Sequence, residues 1–136
     1  MLDNTITMEW CFSDEGNDLS RAILSRLSNL ADIAIVPDLW FYEVANVIEL
    51  ASRKGRISEQ QAAEFLKTLA DLPIDIETPD MASVFDKVRE LAGKHKLTTY
   101  DAAYLEIALR QKLPIATFDQ ALAKAARNAG VGLVEC

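Results

Sequence analysis

The chain has 136 residues, half of them hydrophobic, with 14 Lys and Arg against 21 Asp and Glu and a formal net charge of −7. This is enough for one buried core, so we predict a single domain over residues 1–136, and the acidic balance is not typical of proteins that bind nucleic acid through their overall charge. No apolar run approaches the ~18 residues needed to span a bilayer and no signal peptide is recognisable, so we expect a cytoplasmic protein with no membrane segment.

Short apolar runs alternate with amphipathic stretches along the chain. Short strands are predicted at residues 1–2, 33–36, 74–77, 113–117 and 133–134. A short helix is predicted after the first strand, and longer helices over residues 19–30, 39–54, 58–72, 80–93, 97–109 and 120–129. This alternation predicts an α/β fold, a three-layer sandwich in which helices flank a short, mostly parallel central sheet.

Two acids lie on the apolar faces of predicted helices. Asp101 has Leu97 one turn before it and Leu105 one turn after it, and Glu43 has Leu39 one turn before it. Both carboxylates should therefore be partly buried. A buried carboxylate without a partner is costly, so each of these residues needs a cation, a hydrogen-bond donor or a bound metal ion.

Two further acids lie where predicted strands end. Asp3 follows the first strand and Asp119 follows the fourth. Ligands of parallel sheets bind outside the carboxyl ends of the strands, so the four acids could converge on one edge and bind a hard cation. Each acid also has an ordinary structural interpretation: Asp119 as a helix N-cap, Asp101 as an anion in the first turn of a helix, and Glu43 as an ion-pair partner.

Four segments of the chain resemble the PIN-domain family, and within it the VapC-type toxins of bacterial toxin–antitoxin pairs. They occur in the family's order and span nearly the whole chain. The segments are Leu2-Asp3-Asn4-Thr5 followed by Glu9-Trp10, Pro37-Asp38-Leu39-Trp40 with Tyr42-Glu43-Val44-Ala45-Asn46, Leu97-Thr98-Thr99-Tyr100-Asp101-Ala102-Ala103-Tyr104, and Leu113-Pro114-Ile115-Ala116-Thr117-Phe118-Asp119. Each segment is weakly specific alone, and their order makes the combination more specific.

The resemblance implies a metal-dependent ribonuclease of the PIN-like fold. The family's catalytic acids match Asp3, Glu43, Asp101 and Asp119. Its ligands for Mg²⁺ or Mn²⁺ match Asp3, Asp101 and Asp119, and polar positions beside the acids match Thr5, Asn46 and Thr117. The resemblance further implies an RNA substrate, a cognate antitoxin protein that inserts a segment into the acidic groove, and a homodimer of the toxin.

Two alternatives remain open from the sequence. The first is a non-catalytic PIN-like module that binds RNA or a protein, with a metal site left incomplete by the short first strand. The second is a phosphotransfer domain of the receiver or haloacid-dehalogenase type, which also has acids at strand ends. The start Asp3-Asn4-Thr5 lacks the paired aspartates of the phosphatase pattern, and no lysine follows the matching late strand as in a receiver.

Other side chains near the acids carry structural expectations. We expect Trp40, Tyr42, Tyr100 and Tyr104 to pack in the core or between helices, and Tyr100 is also a candidate for stacking on a base. Glu106 is expected to be a surface charge. The helix pair over residues 39–72 is expected to form a protein-contact surface, because it has more apolar residues than one buried face needs, including Trp40, Phe41, Ile48 and Leu66.

Overall fold

A parallel pair of strands is the best-formed part of the central sheet in the computed structural model, which describes residues 1–12 and 16–135. β1 (Ala34–Pro37) and β2 (Ile74–Glu77) pair with Ala34 opposite Ile74. β1 is largely buried, as expected of a strand with neighbours on both sides, whereas β2 forms an edge and exposes Asp75. Both strands confirm the sequence prediction to within one residue.

The other predicted strands are present as single parallel contacts. The N–H of Leu2 donates to the carbonyl of Ile35 at 3.0 Å, and Leu2 also forms a parallel bridge with Ala116. Ile115 in turn forms a parallel bridge with Leu133. The spatial order is therefore the third, second, first, fourth and fifth strand segments. The strand order reverses between the first and the fourth, which is the switch point where such sheets bind ligands.

Helices flank this sheet, and the predicted α/β class with a short parallel sheet is confirmed. The helices are α1 (Asn4–Phe12), α2 (Asp18–Ser28), α3 (Leu39–Arg53), α4 (Glu59–Ala70), α5 (Met81–Ser83), α6 (Arg89–His95), α7 (Thr99–Gln111) and α8 (Gln120–Asn128). Within the described part of the chain, no helix combines the length and the apolar character that a membrane crossing requires.

The helix predicted over residues 80–93 has a less regular form than its sequence pattern indicates. The side chain of Asp80 accepts a hydrogen bond from the N–H of Ser83 at 2.8 Å and caps α5. A π-helical turn (Val84–Val88) then joins α5 to α6, and Lys96 ends α6 in the left-handed region with φ 55°. The apolar pattern therefore predicted one continuous helix where the structure has a π-turn between two α-helical segments.

Helix α7 passes through the middle of the core. Its residues from Ala102 to Ala108 are all buried, and Tyr104 and Leu105 are completely so. The hydroxyl of Thr98 accepts a hydrogen bond from the N–H of Asp101 at 3.1 Å, which caps the helix at the turn that carries this acid. The rigid packing of α7 therefore fixes the position of Asp101 at the edge of the sheet.

The expectation that Glu106 is a surface charge is wrong. Its carboxylate is buried in the same helix and accepts a 3.0 Å hydrogen bond from Nε of Arg110, whose guanidinium also contacts Glu77 of β2 at 3.3 Å. The Glu106 and Glu77 carboxylates raise the pKa of Arg110. This network ties the end of α7 to the edge strand.

Candidate functional site

Asp3 is the most deeply buried of the predicted site residues, with 4% of its surface exposed. Its backbone N–H donates to the carbonyl of Ala116 at 3.0 Å, so the residue is held in the sheet even though the first strand is short. Oδ2 of Asp3 accepts hydrogen bonds from the hydroxyls of Thr5 and Thr117, both at 2.6 Å. No other described residue donates to the carboxylate, which leaves Oδ1 available to a ligand.

Thr5 and Thr117 connect Asp3 to the loop before α8. The Thr5 hydroxyl accepts the N–H of Phe118, and the Thr117 hydroxyl accepts the N–H of Asp119, each at 2.9 Å. Each hydroxyl thus donates to the buried carboxylate and accepts from the backbone. The two threonines hold the first and fourth strand segments in a fixed relation at their carboxyl ends.

Asp119 lies directly after this loop and is half-buried. Its Oδ1 accepts a 2.7 Å hydrogen bond from the N–H of Leu122, so the N-cap interpretation of this residue is correct. One carboxylate oxygen is used by the cap. The second oxygen accepts no hydrogen bond from any other residue that the structure describes, so the cap does not prevent Asp119 from taking a second role.

Glu43 lies on α3 and faces α7. Its Oε1 accepts a 2.6 Å hydrogen bond from the hydroxyl of Tyr104. Burial raises the pKa of Glu43, the Tyr104 hydroxyl acts in the opposite direction, and the nearby carboxylates of Asp3 and Asp101 raise it again. The partner expected for the buried Glu43 carboxylate is therefore the phenol of Tyr104, and not the Arg or Lys of the ion-pair interpretation.

Asp101 lies in the first turn of α7. Burial raises its pKa, the hydroxyl of Thr98 partly offsets this, and the charges of Asp119 and Asp3 raise it further. The charges of Asp3 and Asp101 thus raise the pKa of Glu43, and the charges of Asp119 and Asp3 raise the pKa of Asp101. The structure thus brings the four predicted acids into one region of mutual repulsion.

The residues of this region suit a hydrated hard cation. In residues 1–12 and 16–135, none of the four carboxylates forms an ion pair with Lys or Arg. The same part of the chain contains no set of three or more acidic, His or Cys side chains close enough together to ligate one ion directly. Mg²⁺ usually keeps several waters and binds one or two carboxylates, so an oxygen-rich cluster with this wider spacing fits it.

Asn46 is the one predicted polar position whose side chain forms no hydrogen bond with the other described residues. It is exposed on α3, one turn after Glu43, and lines an open groove of about 580 Å³ together with Leu39, Tyr42, Glu43 and Tyr100. Asn46 therefore does not orient any of the acids. It faces the space through which a ligand would reach Glu43.

The aromatic residues divide into two kinds. Trp40 and Tyr104 are buried as expected, whereas the expectation is wrong for Tyr42 and Tyr100, which expose 79% and 67% of their surfaces. Sequence reasoning missed the hydrogen bond that the Tyr104 hydroxyl donates to Glu43. Its only signal is that Tyr104 lies one turn after Asp101 on the same apolar stripe.

The expected contact surface on α3 and α4 is only partly correct. Trp40 and Ile48 are buried, but Phe41 and Leu66 are exposed and line an apolar groove of about 370 Å³ together with Ile76 of the edge strand. Trp40 exposes little of its surface because its side chain packs inward, and its indole N–H donates to the buried hydroxyl of Thr7.

Comparison with known sequences agrees with this geometry. The profile of the PIN domain family matches residues 1–128 of the chain. A protein of Pyrobaculum aerophilum named Ribonuclease VapC3 is 34% identical over 87 residues, which make up 64% of this chain and 66% of that protein. The matched stretch thus spans just under two thirds of the length of this relative.

Two solved structures have a similar fold. PAE2754 from Pyrobaculum aerophilum has a TM-score of 0.68 at 22% identity, over 91% of this chain and 76% of that chain. FitAcB from Neisseria gonorrhoeae has a TM-score of 0.66 at 18% identity, over 98% of this chain and 95% of that chain. At these identities the likeness concerns the fold.

The matched family profile covers all four acids and both threonine hydroxyls. It confirms the family predicted from the motifs, and the VapC3 match supports the VapC-type resemblance within it. The chain belongs to the PIN-domain family.

Proposed function

We propose that this protein is an endoribonuclease that depends on Mg²⁺ or Mn²⁺ and acts as the toxin of a toxin–antitoxin pair. The observation that carries the proposal is the convergence of four acids from distant parts of the chain with no Lys or Arg paired to them in the described residues. Family membership and the similarity to a protein named as a ribonuclease support it. The same membership weighs against a receiver or phosphatase domain.

Three of the acids would hold a hydrated metal ion, at most two of them by direct contact and the other through the ion's bound waters. Asp3 offers Oδ1, because its Oδ2 is occupied by the hydroxyls of Thr5 and Thr117. Asp101 and Asp119 offer carboxylate oxygens at the start of α7 and α8. When bound, the ion supplies Lewis acidity that lowers the pKa of water and stabilises charge on the phosphate.

Glu43 would act on the attacking water. A carboxylate whose pKa is raised by burial is a better proton acceptor near neutral pH, and the Tyr104 hydroxyl fixes its orientation. Glu43 would orient the water and accept its proton as the oxygen adds to phosphorus. The bond from phosphorus to the 3′-oxygen would break, and this oxygen would take a proton from solvent, which leaves a 5′-phosphate and a 3′-hydroxyl.

A non-catalytic PIN-like module that binds RNA or a protein is the second candidate. It is favoured by the spacing of the acids, because no three of them in residues 1–12 and 16–135 are close enough together to ligate one ion directly. In that case the acids would form a charged groove that binds a basic segment of a partner. Measurement of cleavage separates the two candidates.

The test is metal-dependent cleavage of single-stranded and structured RNAs. We expect cleavage with Mn²⁺ or Mg²⁺, none with EDTA, and a loss on the order of 100-fold in Asp101→Asn. Asp86→Asn is the matched control, since Asp86 is an exposed acid on the π-helical turn. Full cleavage by Asp101→Asn would contradict the assigned site, and intact RNA under all conditions would favour the binding module.

The partners and location follow from the same proposal. We propose an RNA substrate, a cognate antitoxin protein that inserts a segment into the acidic groove, a homodimer of this chain, and a cytoplasmic location. We also propose that residues 1–136 form one domain. Co-expression with the product of a small neighbouring reading frame, followed by a growth assay, tests the antitoxin, and light scattering of the purified protein tests the dimer.

A further inference from the structure

An open groove lies beside the acidic cluster, and we call it the tyrosine groove. Its volume is about 580 Å³, and it is lined by Leu39, Tyr42, Glu43, Asn46 and Tyr100. Tyr42 precedes Glu43 on α3, and Tyr100 precedes Asp101 on α7. Each exposed ring is thus carried by the same helical turn as one of the catalytic acids, so the groove has a fixed position relative to them.

The two rings contribute little to the packing of the chain. Tyr42 exposes 79% of its surface and Tyr100 exposes 67%. Neither ring forms a hydrogen bond or a ring contact with another residue in the described part of the chain, where the aromatic pair is Trp40 with Phe41. Large exposed rings on a rigid helical frame are typical of binding surfaces, because they offer contact area at little cost in entropy.

The chemistry of the groove selects a neutral, flat ligand. Glu43 contributes a carboxylate that repels phosphate, whereas Asn46 contributes an amide with both donors and acceptors, and no described residue occupies that amide. A nucleobase has aromatic faces for the tyrosines and a polar edge for the amide. The phosphates of the same strand would lie on the metal side of Glu43.

We propose that the tyrosine groove binds one unpaired base of single-stranded RNA next to the scissile phosphate, with Tyr42 and Tyr100 as stacking partners and Asn46 at the base edge. This inference rests on the proposed function, because it takes RNA as the substrate. It goes further by assigning Tyr42, Tyr100 and Asn46 to a site for one base of that RNA. Bases within a duplex cannot enter the groove, since their faces are covered by their neighbours.

The test measures base stacking and does not depend on cleavage. A short single-stranded RNA with 2-aminopurine at successive positions is titrated with the Asp101→Asn protein, and stacking quenches its fluorescence. We expect strong quenching at one position. Tyr42→Ala and Tyr100→Ala should each weaken binding by about fivefold to a hundredfold, the range for stacking of one base on one aromatic side chain, whereas Tyr42→Phe and Tyr100→Phe should bind normally.

Phe85→Ala is the matched control, because Phe85 is an exposed aromatic residue outside the groove, and we expect it to bind as the parent does. Normal RNA binding by both alanine variants would overturn the proposal and leave the groove to a protein partner. Quenching without cleavage by the wild-type chain in Mn²⁺ would contradict the nuclease but keep the base site. Cleavage without quenching at any position would do the reverse.

Discussion

The hydroxyl of Tyr104 donates a 2.6 Å hydrogen bond to Oε1 of Glu43, a residue 61 positions earlier in the chain. Tyr104 is completely buried, so its ring is fixed by the core, and the hydrogen bond from its hydroxyl holds Glu43 in a fixed position beside the other acids. The carboxylate raises the pKa of Tyr104 further above a value already raised by burial, which keeps the phenol protonated as a donor.

Replacement of Tyr104 by Phe should distinguish the orientation of Glu43 from the binding of substrate. Loss of the hydroxyl frees Glu43 to adopt other rotamers, so we expect kcat to fall about tenfold with little change in KM, as for other groups that orient a metal-site residue. The free energy of unfolding should fall by about 1 kcal/mol for the lost hydrogen bond. Tyr42→Phe is the control for the unfolding measurement, and an equal effect there would contradict the assignment.

Thr117 tests the threonine pair that holds Asp3. Thr117→Val removes a donor to the buried carboxylate and the acceptor for the N–H of Asp119 without changing the side-chain shape. We expect the free energy of unfolding, measured by urea denaturation, to drop by about 1–3 kcal/mol. The affinity for Mn²⁺, measured by calorimetry, should also weaken. Thr117→Ser keeps the hydroxyl and should restore both. Failure of Ser to restore them would mean that packing of the methyl group, and not the hydroxyl, matters.

The metal-free protein should have an unusual pH dependence of stability. Glu43 and Asp101 have pKa values raised above their ordinary values of 4.5 and 3.8. As the pH rises from the ordinary pKa values to the raised ones, the unfolded chain releases these protons first. The folded state then binds more protons than the unfolded chain, so the free energy of unfolding falls. The contribution is fully present below the ordinary values and is lost as pH rises through the folded values.

Thermal unfolding over a series of pH values from about 4 to about 7.5 measures this effect. Asp101→Asn removes one of the groups and should reduce the fall in the free energy of unfolding over this pH range. The proposed binding of Mn²⁺ to the ionised carboxylates should stabilise the wild-type chain more at the higher pH. An unchanged pH profile in Asp101→Asn would contradict the raised pKa of this residue.

The buried Glu106 makes Arg110 important to the fold. Arg110→Ala leaves the carboxylate buried without its cation, so we expect a loss of about 1–3 kcal/mol in the free energy of unfolding. Arg53→Ala is the control, because Arg53 and Glu49 form an exposed pair at the same spacing, and its loss should cost less than about 0.5 kcal/mol. Equal losses in the two variants would mean that burial of Glu106 is unimportant.

The sequence reveals the acids more readily than it reveals their partners. Glu43 and Asp101 stand out because each charge interrupts an apolar stripe, which is a local pattern. The contact of Glu43 with Tyr104 depends on how α3 packs against α7, and no local pattern encodes that. The strand ends at Asp3 and Asp119 are visible in the same way, but the two threonine hydroxyls join them only in three dimensions.

Errors in the sequence prediction occurred where helical periodicity loses its meaning. Helix α7 is buried on all sides from Ala102 to Ala108, so no polar face exists and Glu106 could not be assigned to the interior by its spacing. Tyr100 lies in the first turn of the same helix, before the helix enters the core. Tyr42 is rotated away from the buried stripe of α3. Both rings are therefore exposed although their neighbours in sequence are buried.

The hydrogen bond from the Thr117 hydroxyl to Asp3 has a consequence during protein synthesis. The two residues are 114 positions apart, and the hydroxyl comes from a loop that the ribosome delivers late. A nascent chain that already contains Asp3, Glu43 and Asp101 still lacks both Thr117 and Asp119. The proposed site could therefore form only after translation has passed this loop, so the proposed ribonuclease would be inactive as a growing chain.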